Sequence, residues 1–131
     1  MGAHVGDERL TSIRMALDAA RASWGGGAGT VTLATGLDYR PAEPVEVSVR
    51  KRGHRWDFGD GGRAVRLAGK PSGWLAAAER VVAEEGMNVN RAGVVFVPAV
   101  ERPRRDLALL ALRLGESSQA VFAELIDLAP E

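Results

Sequence analysis

Cysteine is absent from the chain, and lysine nearly so. With no cysteine among 131 residues there is no disulfide framework, no thiolate metal site and no cysteine nucleophile. Only two histidines are present, His4 and His54, and neither has a serine or a carboxylate at a motif spacing, so no triad is expected. No His-Glu-x-x-His pattern or cluster of histidines suggests a metal, and no cofactor motif is found. No apolar run approaches the roughly 18 residues a membrane helix needs. The start, Met1-Gly2-Ala3-His4, lacks a basic segment followed by an apolar one. No signal peptide is expected, and the expected location is cytoplasmic. Aromatics make up only 5% of the chain. Trp24, Trp56 and Trp74 fall on apolar faces and are expected in the core or at an interface.

The chain is otherwise ordinary for a globular protein, at 46% apolar and 26% charged residues. One domain over residues 1–131 is expected, with 1–6 disordered, and a chain of this size can hold a core without staples. The net charge is zero, which argues against a dedicated nucleic-acid binder. The charge is unevenly distributed. Residues 50–70 hold seven basic and two acidic side chains, while the segments on either side are net acidic. Arg50, Lys51, Arg52 and Arg55 lead this basic stretch. Charges at a hairpin tip commonly serve as a solvated, aggregation-resistant turn. If the tip has a function, these four side chains attract an acidic protein or a phosphate-bearing partner.

Hydrophobic spacing sets the elements. Leu10, Ile13, Leu17, Ala20 and Trp24 recur at steps of three and four, predicting a helix over 7–24 that stops at Gly25-Gly26-Gly27. The glycine run follows a helix and no Gly-Lys-Ser/Thr comes after it, so it is not a phosphate loop. Strands are predicted over 30–35, 45–49 and 55–58, with a loop over 36–44 and a turn at Arg52-Gly53-His54. Gly59-Asp60-Gly61-Gly62 reads as a tight hairpin turn, and the alternation in Arg63-Ala64-Val65-Arg66-Leu67 predicts a fourth strand. Ser72 is expected to cap a helix running to Glu85. Strands follow over 87–90 and 94–97, the second apolar on both faces and so internal. A long helix over 104–128 carries Leu107, Leu110, Leu114, Val121, Leu125 and Leu128 on one stripe, interrupted by Gly115. The expected fold is α+β: a helix, an antiparallel meander of three to four strands, a helix, two strands and a long C-terminal helix.

Two carboxylates, Asp57 and Asp60, are close in sequence and could together bind a cation, although Asp60 also suits its own turn. The element order resembles the core of PD-(D/E)xK nucleases. Such sites need an acidic-x-Lys, and the positions Glu46-Val47-Ser48 and Asp57-Phe58-Gly59 lack the lysine. A degenerate nuclease-like enzyme is the weakest of three readings. A phosphate- or nucleic-acid-binding module through residues 50–70 is the second. A non-enzymatic protein-binding domain is the first.

The stretch Trp56-Asp57-Phe58-Gly59-Asp60-Gly61-Gly62 resembles the D-G-G hairpin of an uncharacterised bacterial domain family. In that family a strand like Gly86-Met87-Asn88-Val89 and a leucine-rich helix follow. That resemblance implies no activity and no site. The overall order is similar to the type III secretion chaperone fold, which implies a small α+β dimer that binds an unfolded client segment. A homodimer is expected on separate grounds as well. Leu109 and Leu112 lie off the main stripe of the last helix, where a second copy is expected to cover them. Arg104 and Arg105 at one end and Glu116 and Glu124 further along suit an antiparallel pairing of two such helices.

Overall fold

The computed structural model describes residues 5–101 and 106–129. His4, Arg104 and Arg105 lie outside the described residues, as does the stretch 1–4. Helix α1 (Val5–Trp24) leads into a three-strand meander of β1 (Gly29–Arg40), β2 (Glu43–Arg52) and β3 (Arg55–Gly59). Two short helices follow, α2 (Arg63–Ala68) and α3 (Trp74–Ala83). Strands β4 (Asn88–Val89) and β5 (Val95–Glu101) then precede the long helix α4 (Leu107–Leu128). The five strands form one antiparallel sheet in the order β1-β2-β3-β5-β4. The fold is α+β, as the hydrophobic spacing predicts.

Alternation along the strands puts one face of the sheet against the helices and leaves the other open. Val45, Val47, Val49, Trp56, Phe58, Val95 and Val97 are buried on the helical side. Thr30, Thr32, Glu46 and Arg50 are exposed on the other. The internal position expected for the second apolar strand is correct, since β5 lies between β3 and β4. Helix α4 crosses the covered face, and Leu107, Leu110, Leu114, Val121 and Leu125 are buried there. Leu128, at its last turn, is exposed.

Three local expectations fail for identifiable reasons. Residues 63–67 form helix α2, not a fourth meander strand. Ala64 and Val65 both face the core, which adjacent residues of a strand cannot do. Gly61 and Gly62 both have positive φ, and together they turn the chain into a helix instead of a hairpin. Ser72 makes no side-chain cap; α3 begins after Gly73, which is in the left-handed region. The loop expected over 36–44 is mostly strand. β1 continues through Gly36 to Arg40 by slipping register after Ala34. Thr35 holds the irregularity, donating from Oγ1 to Val45 O at 2.6 Å and accepting from Leu37 N at 3.2 Å.

Candidate functional site

The basic stretch separates into two parts. Arg50, Lys51, Arg52 and Arg55 gather at one end of the β2–β3 hairpin, around the Gly53-His54 turn. Arg63, which the sequence places with them, instead binds Glu43 at 3.1 Å on the helical side.

At the hairpin the strands pair Arg50 with Asp57 and Arg52 with Arg55. Asp57 binds Arg52 at 3.0 Å and lies 3.9 Å from Arg55. Arg50 is exposed and has no carboxylate partner among the described residues. Lys51 points to the opposite face. Its Nζ donates to the carbonyls of Gly26 and Gly27, at 3.1 and 3.4 Å, just past the end of α1. It also lies 6.0 Å from the Trp56 ring centre, while the Arg21 guanidinium sits 5.3 Å from the same ring. Trp24 packs on Trp56 at 6.1 Å, and a Cβ on Gly29 would collide with the Trp24 ring. Of the four expected partner-binding side chains, Arg50, Arg52 and Arg55 therefore share one surface with Asp57. Lys51 serves to fix the junction of α1 and β1.

Asp57 and Asp60 do not converge. Asp57 points toward the arginines, and Asp60 is buried at 5% exposure behind the sheet. Asp60 Oδ1 accepts from Gly62 N at 2.8 Å and from Val95 N at 2.9 Å. Its Oδ2 accepts from the Ser118 hydroxyl at 2.7 Å, and Ser118 Oγ lies 2.6 Å from the Tyr39 hydroxyl. Burial raises the Asp60 carboxyl above its ordinary value, against the lowering effect of these hydrogen bonds. Burial likewise pushes the Tyr39 phenol up to about 12. The Asp-Gly turn reading of Asp60 is correct as far as Gly62. Its ties to β5, α4 and β1 have no local signal, because Ser118 and Tyr39 are distant in sequence. One trace was present: the leucine stripe of α4 skips from Leu114 to Val121, and Ser118 fills the gap on the same face.

The two leucines expected at a dimer interface separate. Leu112 is 6% exposed and belongs to the core of a single chain, which corrects the expectation that a second copy covers it. The reason is that Leu112 shares a flank of α4 with Ala108, Gly115 and Gln119, the side that faces α1 and β1. Leu109 remains 38% exposed and lines a groove of about 340 Å³ with Glu85, Met87, Asp106, Leu110 and Arg113. Arg113 and Glu85 bridge this groove at 3.4 Å. Asp106 caps α4 through its Oδ1, accepting from Ala108 N at 3.0 Å, and its other oxygen binds Arg14. Slight desolvation works against ionisation of Asp106, but Arg14 and the cap amides outweigh it and hold the carboxyl below its usual range.

No group of three or more histidine or carboxylate side chains that could hold a metal occurs among the described residues. No helix among them is long and apolar enough to cross a membrane. No family model, curated protein or solved structure matches the chain.

Proposed function

We propose that this protein is a non-enzymatic interaction domain that engages an acidic protein segment at the arginine-bearing end of its open sheet face. The observation that carries this reading is the imbalance at that end. Among the described side chains, Arg50, Arg52 and Arg55 have one carboxylate between them, Asp57, and its contacts go to Arg52 and Arg55 but not to Arg50. Small side chains beside them, Thr30 and Thr32 on β1 and Ser48 on β2, leave room for an extended segment to reach the guanidinium groups. Arginine forks suit carboxylates in two-point contact. The resemblance of the element order to the type III secretion chaperones favours a segment of an unfolded client over a folded partner. The groups that would support chemistry are engaged elsewhere: Asp60 and Ser118 bind each other in the interior, and Asp57 binds arginines.

A phosphate-bearing or nucleic-acid partner would meet the same arginines, but Asp57 in their midst disfavours a closely packed phosphate backbone. Titrating the protein with a glutamate-rich peptide and with a DNA duplex separates the readings. Peptide affinity should fall as salt rises and drop by about tenfold or more in the Arg50→Ser, Arg52→Ser, Arg55→Ser variant. Equal affinity of that variant, or tighter binding of the duplex with a steep salt slope, would overturn the proposal.

A further inference from the structure

Strand β1 is an outer strand of the sheet, and its first half is unguarded. From Gly29 to Ala34 it pairs with β2 without a break in register. Such an edge presents a row of unpaired backbone groups, and proteins ordinarily blunt it with charge, proline, a bulge or shortness. The opposite edge, β4, is only two residues long. On β1 none of these devices appears before the register slips after Ala34. No side chain from Trp24 through Leu37 is charged, in a chain that is 26% charged.

Helix α1 lies beside this edge, and past Arg9 the flank it turns outward carries only small uncharged side chains. Its core side carries Ile13 and Leu17. Arg14 marks one flank by binding Asp106 of α4. Arg9 marks the other by donating to Gly36 O on β1 at 3.1 Å. The helical period places Ser12, Ala16, Ala19 and Ser23 on the Arg9 flank, all exposed. The Ser23 hydroxyl is satisfied within the helix by Ala20 O. Next to them Met15 is 68% exposed, more than any other large apolar side chain among the described residues.

We infer that two copies of this chain join through the β1 edge, pairing Gly29–Ala34 antiparallel about a two-fold axis and bringing the small-residue flanks of both α1 helices together. A strand of another protein would cover the edge alone. A second copy covers the edge and Met15 with its neighbours at once, because the same two-fold relates both layers. With the axis at Thr32, that residue faces its own copy, and Thr30 faces Ala34 of the second copy. Thr–Thr pairs of this kind are favourable across strands, and no like charges are opposed. The arginines of the β2–β3 hairpin sit one strand inward, so they stay accessible. This inference goes beyond the proposed peptide binding and does not depend on it.

Sedimentation of the full chain at about 50 µM decides the matter, a concentration at which a micromolar association leaves mostly dimer. Thr32→Lys and Ala19→Glu each place like charges at the centre of the contact and should weaken self-association about a hundredfold or more. Both positions are exposed, so far-UV circular dichroism spectra should match the parent, and melts should match it at concentrations low enough for the parent to be monomeric. Leu109→Glu should leave the dimer intact. Amide exchange of the unaltered protein gives a readout independent of the variants: protection of residues 30–34 should rise with protein concentration. A monomer at 50 µM, exchange at 30–34 indifferent to concentration, or dissociation by Leu109→Glu with neither β1 nor α1 variant having an effect would overturn the inference.

Discussion

The hydroxyl of Ser118, midway along α4, donates to the carboxylate of Asp60 at 2.7 Å, and the same carboxylate receives the amides of Gly62 and Val95. One buried side chain thus holds the start of α2, strand β5 and the long helix in mutual register. Tyr39 extends the connection to β1 through Ser118. Buried polar groups are costly when unpaired and specify a unique packing when every member is satisfied.

Asp60 should therefore respond very differently to two substitutions. Asp60→Ala orphans two amides and a hydroxyl in the interior, each at about 1–3 kcal/mol, a loss comparable with the whole stability of a small domain. Asp60→Asn keeps an acceptor for the two amides, and its NH2 can donate to Ser118 once that hydroxyl rotates. It should fold with a loss of under about 2 kcal/mol. The pH dependence has a definite sign. The folded state holds the Asp60 proton more tightly than the unfolded state does. This stabilising contribution is complete below the ordinary value of 3.8 and disappears as pH rises through the higher folded value. Urea denaturation in steps from mild acid to neutrality should show that loss in the parent and not in Asp60→Asn. Parallel curves for the two proteins would refute a raised carboxyl at this position.

Gly115 yields a second prediction. In the middle of a helix glycine is ordinarily a weakness of about 1 kcal/mol relative to alanine. Here a Cβ would sit 2.8 Å from Thr35 Cγ2, at the point where α4 crosses the irregular part of β1. Gly115→Ala should consequently destabilise the protein by about 1–3 kcal/mol despite the better helix residue. Removing the opposing methyl should reverse this. Thr35→Ser keeps the hydroxyl that donates to Val45 O, and the Gly115→Ala, Thr35→Ser pair should be more stable than Gly115→Ala alone. Thermal melts of the three variants form a double-mutant cycle, and additivity of the two changes would disprove the close contact.

The sequence conveyed the fold wherever one face of an element is apolar over several turns or alternations. α1, β2, β3 and α4 are of that kind, and their burial follows the predicted stripes. It misled at residues 63–67, because five residues with alternating character fit one side of a strand and one turn of a helix equally well. The arbiter is the pair of left-handed glycines before them, whose chemistry suits a hairpin turn as well as a helix start. The arginine cluster was legible because its members are neighbours in the chain. The Asp60–Ser118–Tyr39 connection was not, since it is made by residues 58 and 79 positions apart. The direction of Lys51 was also hidden. Alternation along β2 would have put it on the valine face, but its charge suggested company with Arg50 and Arg52.

Leu109 and Leu112 carry the last prediction, and they separate two explanations of an apolar helix flank. Charge introduced at a true surface leucine removes a contact with a partner and leaves the fold alone. Charge introduced at a core leucine cannot be solvated without opening the chain. Leu112 is buried in the cluster that includes Ala111, Leu114 and Met87, whereas Leu109 borders the groove beside Glu85 and Arg113. Leu112→Glu should accordingly fail to fold, and even Leu112→Ala should cost about 2–5 kcal/mol. Leu109→Glu should keep the parental circular dichroism spectrum and melt within a few degrees of it, since a surface change is worth about 0.5 kcal/mol or less. The double variant alone would mix the two effects, so each single variant has to be melted separately. A folded Leu112→Glu would mean that this flank of α4 is open in solution and that α1 and β1 do not cover it.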